Sequence, residues 1–357
     1  MLLHVTSAPA QYPKVSSDIA AEAARKAAAE RRHSDEAWQE ALPIIKQWES
    51  KGKPYIPWAA KPDDLPQAPI PTFPGAQGGG MYSFGGRGGR VFVVTNLDDR
   101  GPGSFREACE AGGPRIVVFN VAGIIRLKEK IRIRAPYITI DGGSAPGDGV
   151  CIAGDTVELE SHDIVIRNMR FRRGETWVGD RNDSCGGNPI GNVMIDHVSA
   201  SWGLDENMSM YRHMYQPPDG SKELKLPTVN ITIQHSIFSE ALNTYHHSFG
   251  STIGGYNSTF HHNLWASNAG RNPSIGMTRA VSLLGNLLFT GTKSGDSISG
   301  TAYVYSSWCR QKYAYSVEGG IEAGGRILLK GSAPKIQNCN HVGDVWNSNS
   351  ELLFTPQ

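Results

Sequence analysis

Six segments of this chain align on one apolar column, Ile140, Ile166, Ile195, Ile233, Phe260 and Leu283, at steps of 26, 29, 38, 27 and 23 residues. A period of this length marks an array of stacked units, none of which can bury its apolar face alone. Neighbouring positions repeat as well. Two residues on, the column reads Gly142, Asn168, His197, His235, His262 and Gly285, and five residues beyond Ile166 and its successors stand Phe171, Ala200, Phe238, Trp265 and Leu288. A helical solenoid needs longer runs of 3.6 period, whereas these units hold short Val/Ile runs between loops of variable length. The pattern predicts an all-β chain folded as a single-stranded parallel β-helix, with rungs about 4.8 Å apart, ladders of like side chains, and loops emerging on chosen sides. Function is expected where the loops cluster.

Outside the repeats, residues 1–74 read as an appendage. Ser16 to Ser50 is rich in Ala, Glu, Lys and Arg, and Trp38, Leu42, Ile45 and Trp48 recur at helical spacing. Two helices are predicted, the second kinked or restarted at Pro43. Between Pro54 and Pro74 seven prolines in 21 residues favour an extended strap lying on another surface. Residues 75–315 form the β-rich body, and 316–357 are expected to be an irregular tail without chemistry. Phe105, Ala108 and Cys109 share one face of a short helix suited to plugging an apolar end. The cluster Gly85-Gly86-Arg87-Gly88-Gly89 lacks the Lys-Ser/Thr of a phosphate loop and is read as turns.

Composition removes several function classes. The charge sum of +1 gives no excess positive charge for nucleic acid, and no apolar stretch approaches the roughly 20 residues of a membrane-spanning helix. The five cysteines, Cys109, Cys151, Cys185, Cys309 and Cys339, are odd in number and contain no CxxC, which argues against a zinc module or a dense disulfide framework. No basic segment followed by an apolar core opens the sequence, so no secretory signal is readable.

The chemistry concentrates between Asp180 and Asn207, a stretch with five carboxylates. Asp183 precedes the column residue Ile195 by 12 and Asp205 follows it by 10, so loops on adjoining rungs can bring them together. Hard oxygen donors without cysteine suit calcium; the plainer reading is turn aspartates capping loops. Arg271 lies 11 residues after Phe260, nearly the same place two rungs along, or about 10 Å away. A cation on one rung and a guanidinium on another would grip neighbouring units of a polyanion. His246-His247 and His261-His262 offer imidazoles for a transition metal, but neighbouring strand residues face opposite sides, so no preformed pair is expected.

Three segments carry a resemblance: Val193 to Glu206 with Asp196-His197, Ile231 to Glu240, and Phe260 to Pro273 ending in Arg271-Asn-Pro. With Phe73-Pro-Gly-Ala76 and Thr95 to Arg106, the chain resembles the pectate lyases of polysaccharide lyase family 1 from about residue 73 to 289. The resemblance implies a right-handed parallel β-helix that cleaves α-1,4-linked galacturonate by β-elimination with calcium. It implies metal-ligating roles for Asp183 and Asp205, with Asp180 and Glu206 as weaker candidates. Arg271 matches the arginine that removes the C5 proton, and Asp196 and His197 match a structural Asp-His pair, with His197 expected inside the ladder. An acidic polysaccharide partner, a monomer and an extracellular or periplasmic location follow from the same resemblance.

Two departures remove positive charge from the expected cleft. Gly276 stands where relatives carry a second motif arginine, with Ser274 at a position often basic, and Phe249 stands where many carry lysine. Arg279, Arg170 and Arg172 are the substrate-binding candidates that would compensate. An arginine, protonated far above neutral pH, is an awkward base, and the sequence supplies no means of deprotonating Arg271. The competing readings are a β-helix hydrolase with paired carboxylates and a non-catalytic carbohydrate-binding solenoid.

Overall fold

Short β-branched runs separated by Gly, Asn and Asp turns become strands that each pair in parallel with a counterpart one turn further along. The computed structural model describes residues 16–176 and 178–284, with the strand segments 287–289, 297–305, 312–321, 327–331 and 351–354. The chain winds as a parallel β-solenoid of about seven turns. One long sheet runs through Arg90–Val94, Arg115–Phe119, Ile138–Asp141, His162–Arg167, Gly191–Asp196, Val229–Gln234, Thr252–His261 and Ser274–Leu284. A second stacks Gly123–Arg126, Val150–Ala153, Arg170–Arg172, Ser199–Ser201, Ile237–Ser239, Leu264–Ala266 and Leu287–Phe289. A third holds Ile131–Ile133, Val157–Leu159 and Cys185–Gly187.

The apolar column aligned in the sequence is the pairing register. Ile140 faces Ile166, Ile166 faces Ile195, Ile195 faces Ile233, Ile233 faces Phe260, and Phe260 faces Leu283. The second column holds likewise, from Phe171 through Ala200, Phe238 and Trp265 to Leu288. Ile140 to Phe260 and Phe171 to Trp265 are buried in one interior.

Between these two columns the chain must turn, and it does so through Asn168, His197, His235 and His262, all with left-handed φ of 50° to 54°. That conformation suspends the strand alternation and aims successive side chains outward as a ladder, with His197 and His235 rings 5.1 Å apart and His235 and His262 rings 5.1 Å apart. His197 is therefore not an internal imidazole: its side chain is 57% exposed. Asp196 beneath it is buried and paired with Arg167 Nε at 2.9 Å, Gln234 Nε2 at 2.8 Å and His197 Nδ1 at 2.9 Å. Burial opposes its charge, but the hydrogen bonds from Gln234, Arg167 and His197 hold it below the usual carboxylate range.

The helix Phe105–Glu110 inserts Phe105, Ala108 and Cys109 into the solenoid core. The amino-terminal segment differs from expectation. Ser17–Glu49 is one continuous α-helix with Pro43 inside it, not two. Proline deletes one intrahelical hydrogen bond, but this helix is anchored along its length. Lys26 bonds Asp155 at 2.9 Å, Arg134 bonds Asp35 at 2.7 Å, and Ala41 and Ile45 pack on Ala135. The proline-rich strap then lies against the turns. Because proline offers only a carbonyl, the solenoid supplies the donors: Tyr137 Oη to Pro54 O at 2.9 Å, Asn230 Nδ2 to Pro62 O at 3.0 Å, and Asn192 Nδ2 to Pro66 O at 2.8 Å.

Beyond the strap, Gly79 and Gly80 donate to Thr259 Oγ1 at 3.2 Å and Thr232 Oγ1 at 2.9 Å on the long sheet. A Cβ on Gly80 would overlap the Val193 carbonyl and the Thr232 nitrogen, both backbone atoms. Gly80→Ala is expected to lower unfolding free energy by about 1–3 kcal/mol in chemical denaturation, as overpacking does. A midpoint equal to that of the parent would show that the segment is not tightly seated.

Within 316–357, expected to be irregular, strand Lys312–Ile321 ends, and Ile327–Gly331 and Glu351–Phe354 follow in antiparallel pairing. Among the described residues, no helix is long and apolar enough to cross a membrane.

Candidate active site

Four successive rungs build the site. Ser184 and Cys185 donate backbone N–H groups to Glu206 O at 3.2 Å and Asn207 O at 3.1 Å. On the next rung, Asn207 N donates to Gly250 O at 2.9 Å, then Gly250 N to Gly270 O at 3.0 Å, and Ser251 N to Arg271 O at 2.8 Å. Buried amides fix the spacing, since Asn207 Nδ2 donates to Asn268 Oδ1 at 3.0 Å and Asn268 Nδ2 to Asn272 Oδ1 at 2.9 Å. Consequently Asp183, Asp205, Glu206 and Arg271, distant in sequence, line one cleft of about 340 Å³ with Arg181, His247 and Arg212.

Asp183 Oδ1 accepts from Glu206 N at 3.2 Å. Glu206 Oε1 accepts from Thr252 Oγ1 at 3.0 Å and from Arg271 Nη1. Asp205 pairs with His247 Nδ1 and lies 3.4 Å from Arg181 Nε. The Arg271 guanidinium stacks 4.4 Å above the Phe249 ring, and its backbone takes φ 50°, a left-handed conformation uncommon outside glycine and found at functional sites. Its side chain is 35% exposed, so one face of the fork reaches the cleft.

The carboxylates do not titrate alike. Burial, then Glu206 and Asp205 alongside, raises Asp183 well above the usual range. Burial and Asp205 raise Glu206, partly offset by Arg271. Asp205 is also buried, but the hydrogen bond and charge of His247, followed by Arg181, hold it low. Like charges crowded in a low-dielectric pocket are what a divalent cation relieves. Asp183, Asp205 and Glu206 all line the cleft and offer the oxygen donors calcium takes, and the ligand atoms of Asp205, Glu206 and His247 lie within 4.8 Å of one another.

Several sequence candidates lie elsewhere. Asp180 does not line this cleft; its carboxylate is tied to Lys130 Nζ at 2.9 Å. Arg170 is exposed on the second sheet, and Arg172 there donates to Ser199 O at 2.9 Å and Ser199 Oγ at 2.8 Å, facing a separate groove beside Trp202. Neither lines the acidic cleft. Arg279 stands in the strand Ser274–Leu284, but its side chain lies outside the described residues. Asp196 and His197 sit on the turn ladder, apart from the cleft.

The sequence reading named His247 as a transition-metal imidazole but not as a residue of this cleft, and it missed Arg181 and the use of Phe249 as a platform. Bridges pair Glu206 with Phe249 and Phe249 with Gly270. Counted from the column, these are offsets of 11, 16 and 10 residues from Ile195, Ile233 and Phe260. A longer loop on the middle rung thus displaced its site residues from the register at which they were sought. Gly276, where a second arginine was expected, lies against the Tyr211 ring, and Arg181 and Arg212 carry positive charge into the cleft instead.

No family model matches the chain. A probable pectate lyase C of Neosartorya fischeri is 40% identical over 209 residues, 57% of this chain and 44% of that protein. One of Aspergillus terreus is 41% identical over 208 residues, 57% and 45%. Over these stretches the chain is similar to pectate lyases. Probable pectate lyase 5 of Arabidopsis thaliana is 30% identical over 146 residues, 35% of each chain. The chain spans less than half the length of the fungal pectate lyases it matches.

Proposed function

We propose that this chain is a calcium-dependent pectate lyase that cleaves α-1,4-linked galacturonan by β-elimination. The reading rests on one observation: three carboxylates and Arg271 converge from adjoining rungs onto a single open cleft. The names of the relatives support the substrate class. Calcium held by Asp183, Asp205 and Glu206 would supply Lewis-acid stabilisation for charge building on the uronate carboxylate.

This chain's own groups carry the remainder. Arg271, poised between Glu206 and Phe249, accepts the C5 proton of the bound uronate as a neutral guanidine, its own proton having first passed to solvent. The electron pair left at C5 forms the C4–C5 double bond as the C4–O bond breaks, and the leaving oxygen takes a proton from water. Arg181 and Arg212, spaced along the cleft, bind carboxylates of flanking sugars by forked hydrogen bonds. Asn207, Asn268 and Asn272 touch no substrate; they hold the rungs in step. A polymeric substrate places the activity outside the cell, with the chain acting as a monomer.

Incubation with polygalacturonate is expected to yield an unsaturated, ultraviolet-absorbing product with added Ca²⁺, and none after chelation. A saturated reducing end formed without calcium would identify a hydrolase. Binding without chain shortening would identify a carbohydrate-binding solenoid.

A further inference from the structure

Away from the acidic cleft, the turn ladder brings together imidazoles that strand alternation would have kept apart. His261 ends a strand and points inward, but the left-handed turn at His262 swings the next ring back, and the two Nδ1 atoms meet at 2.8 Å. His235, one rung earlier, stacks 5.1 Å from His262. The ligand atoms of all three lie within 4.8 Å of one another.

The hydrogen bonds fix which nitrogen of His261 is bare. Gln234 Nε2 donates to Asp196 Oδ1 at 2.8 Å and Gly75 O at 3.3 Å, while Gln234 Oε1 accepts from Gln77 N at 3.3 Å. The Gln234 oxygen is therefore the acceptor for His261 Nε2–H at 3.1 Å. That leaves His261 Nδ1 as a lone pair aimed at His262, oriented by an outer partner in the way metal-binding histidines are. Two nitrogens 2.8 Å apart share at most one proton, here on His262. His235 and His262 are exposed, so an ion has access and both rings can turn about χ2, whereas His261 is buried and fixed.

We propose that His235, His261 and His262 bind a transition-metal dication of the Zn²⁺ class, tying two consecutive turns of the solenoid together. The ion takes the place of the proton between His261 and His262, which moves through solvent to His262 Nε2 so that the ring stays neutral. Three imidazoles and one water complete a tetrahedral set. The nearest carboxylate, Asp196, is already committed to Arg167, Gln234 and His197, so the donors are all nitrogen and disfavour calcium. The site is therefore chemically separate from the acidic cleft and stands whether or not the chain is a lyase.

The test is calorimetric titration of the metal-free full chain with ZnCl₂ in excess Ca²⁺, which occupies the acidic cleft. One Zn²⁺ per chain is expected, with a rise in thermal midpoint. His235→Gln and His262→Gln, both at exposed positions, should each weaken binding by more than the roughly 10–100-fold cost of losing an outer partner. His197→Gln and Asp205→Asn should leave it unchanged. Co²⁺ in place of Zn²⁺ should give the intense visible absorption of a tetrahedral site. Absence of Zn²⁺ binding, or binding that survives His262→Gln and disappears with Asp205→Asn, would overturn the proposal.

Discussion

Arg271→Ala is expected to lower the rate of unsaturated-product formation from polygalacturonate by about 10²–10⁴-fold, the range over which a positioned proton acceptor contributes. The effect follows from where the guanidinium sits. Glu206 holds one nitrogen and the Phe249 ring supports the plane, so the group is oriented before substrate arrives. Arg271→Lys should fall nearly as far, because an ammonium cannot bond Glu206 with one nitrogen while lying flat on Phe249. A thermal midpoint measured in Ca²⁺ separates lost chemistry from lost fold. Product formation within tenfold of the parent, by either folded variant, would show that Arg271 is not the base.

The second large effect is on stability. Asp183 and Glu206 are raised above their ordinary values, so the folded state holds these protons more tightly than the unfolded chain. Below the unfolded carboxylate value both states are protonated and the crowding costs little. As pH rises past that value the unfolded chain ionises first, and the cation-free fold loses stability until the raised values are passed. Asp205, held low, acts oppositely and only in acid, where its stabilisation is lost. Added Ca²⁺ should therefore raise the thermal midpoint more at pH 8 than at pH 5; at 100 times its Kd the bound cation stabilises the fold by about 2.7 kcal/mol. Asp183→Asn should stabilise the cation-free protein at pH 8 and abolish the calcium response. A calcium shift of equal size in Asp183→Asn would remove Asp183 from the ligand set.

Much of the fold was legible because a parallel coil writes its register directly into the sequence. The column from Ile140 to Leu283 needed only alignment, since each residue pairs with its equivalent one turn on. That Asp183, Asp205, Glu206 and Arg271 would meet at one cleft was legible for the same reason. His247 and Phe249 were not, because a loop can lengthen without disturbing the strands it joins. The His261-His262 contact was hidden by a backbone property that composition does not reveal, a left-handed turn at a non-glycine residue. Pro43 misled because local propensity counts one lost hydrogen bond, while contacts such as Lys26 with Asp155 act across the whole helix. Asp180 was drawn into the ligand set by proximity in sequence, yet Lys130 holds its carboxylate outside the cleft.

The strap has a consequence for how the molecule comes apart. Coils that touch only their immediate neighbours can fray from either end, one turn at a time. Here a single stretch of chain is tethered at Tyr137, Asn192, Asn230, Thr232 and Thr259, points drawn from four different coils. Like a spine glued across loose pages, it makes the loss of one leaf a strain on the next, and melting should proceed as one concerted event.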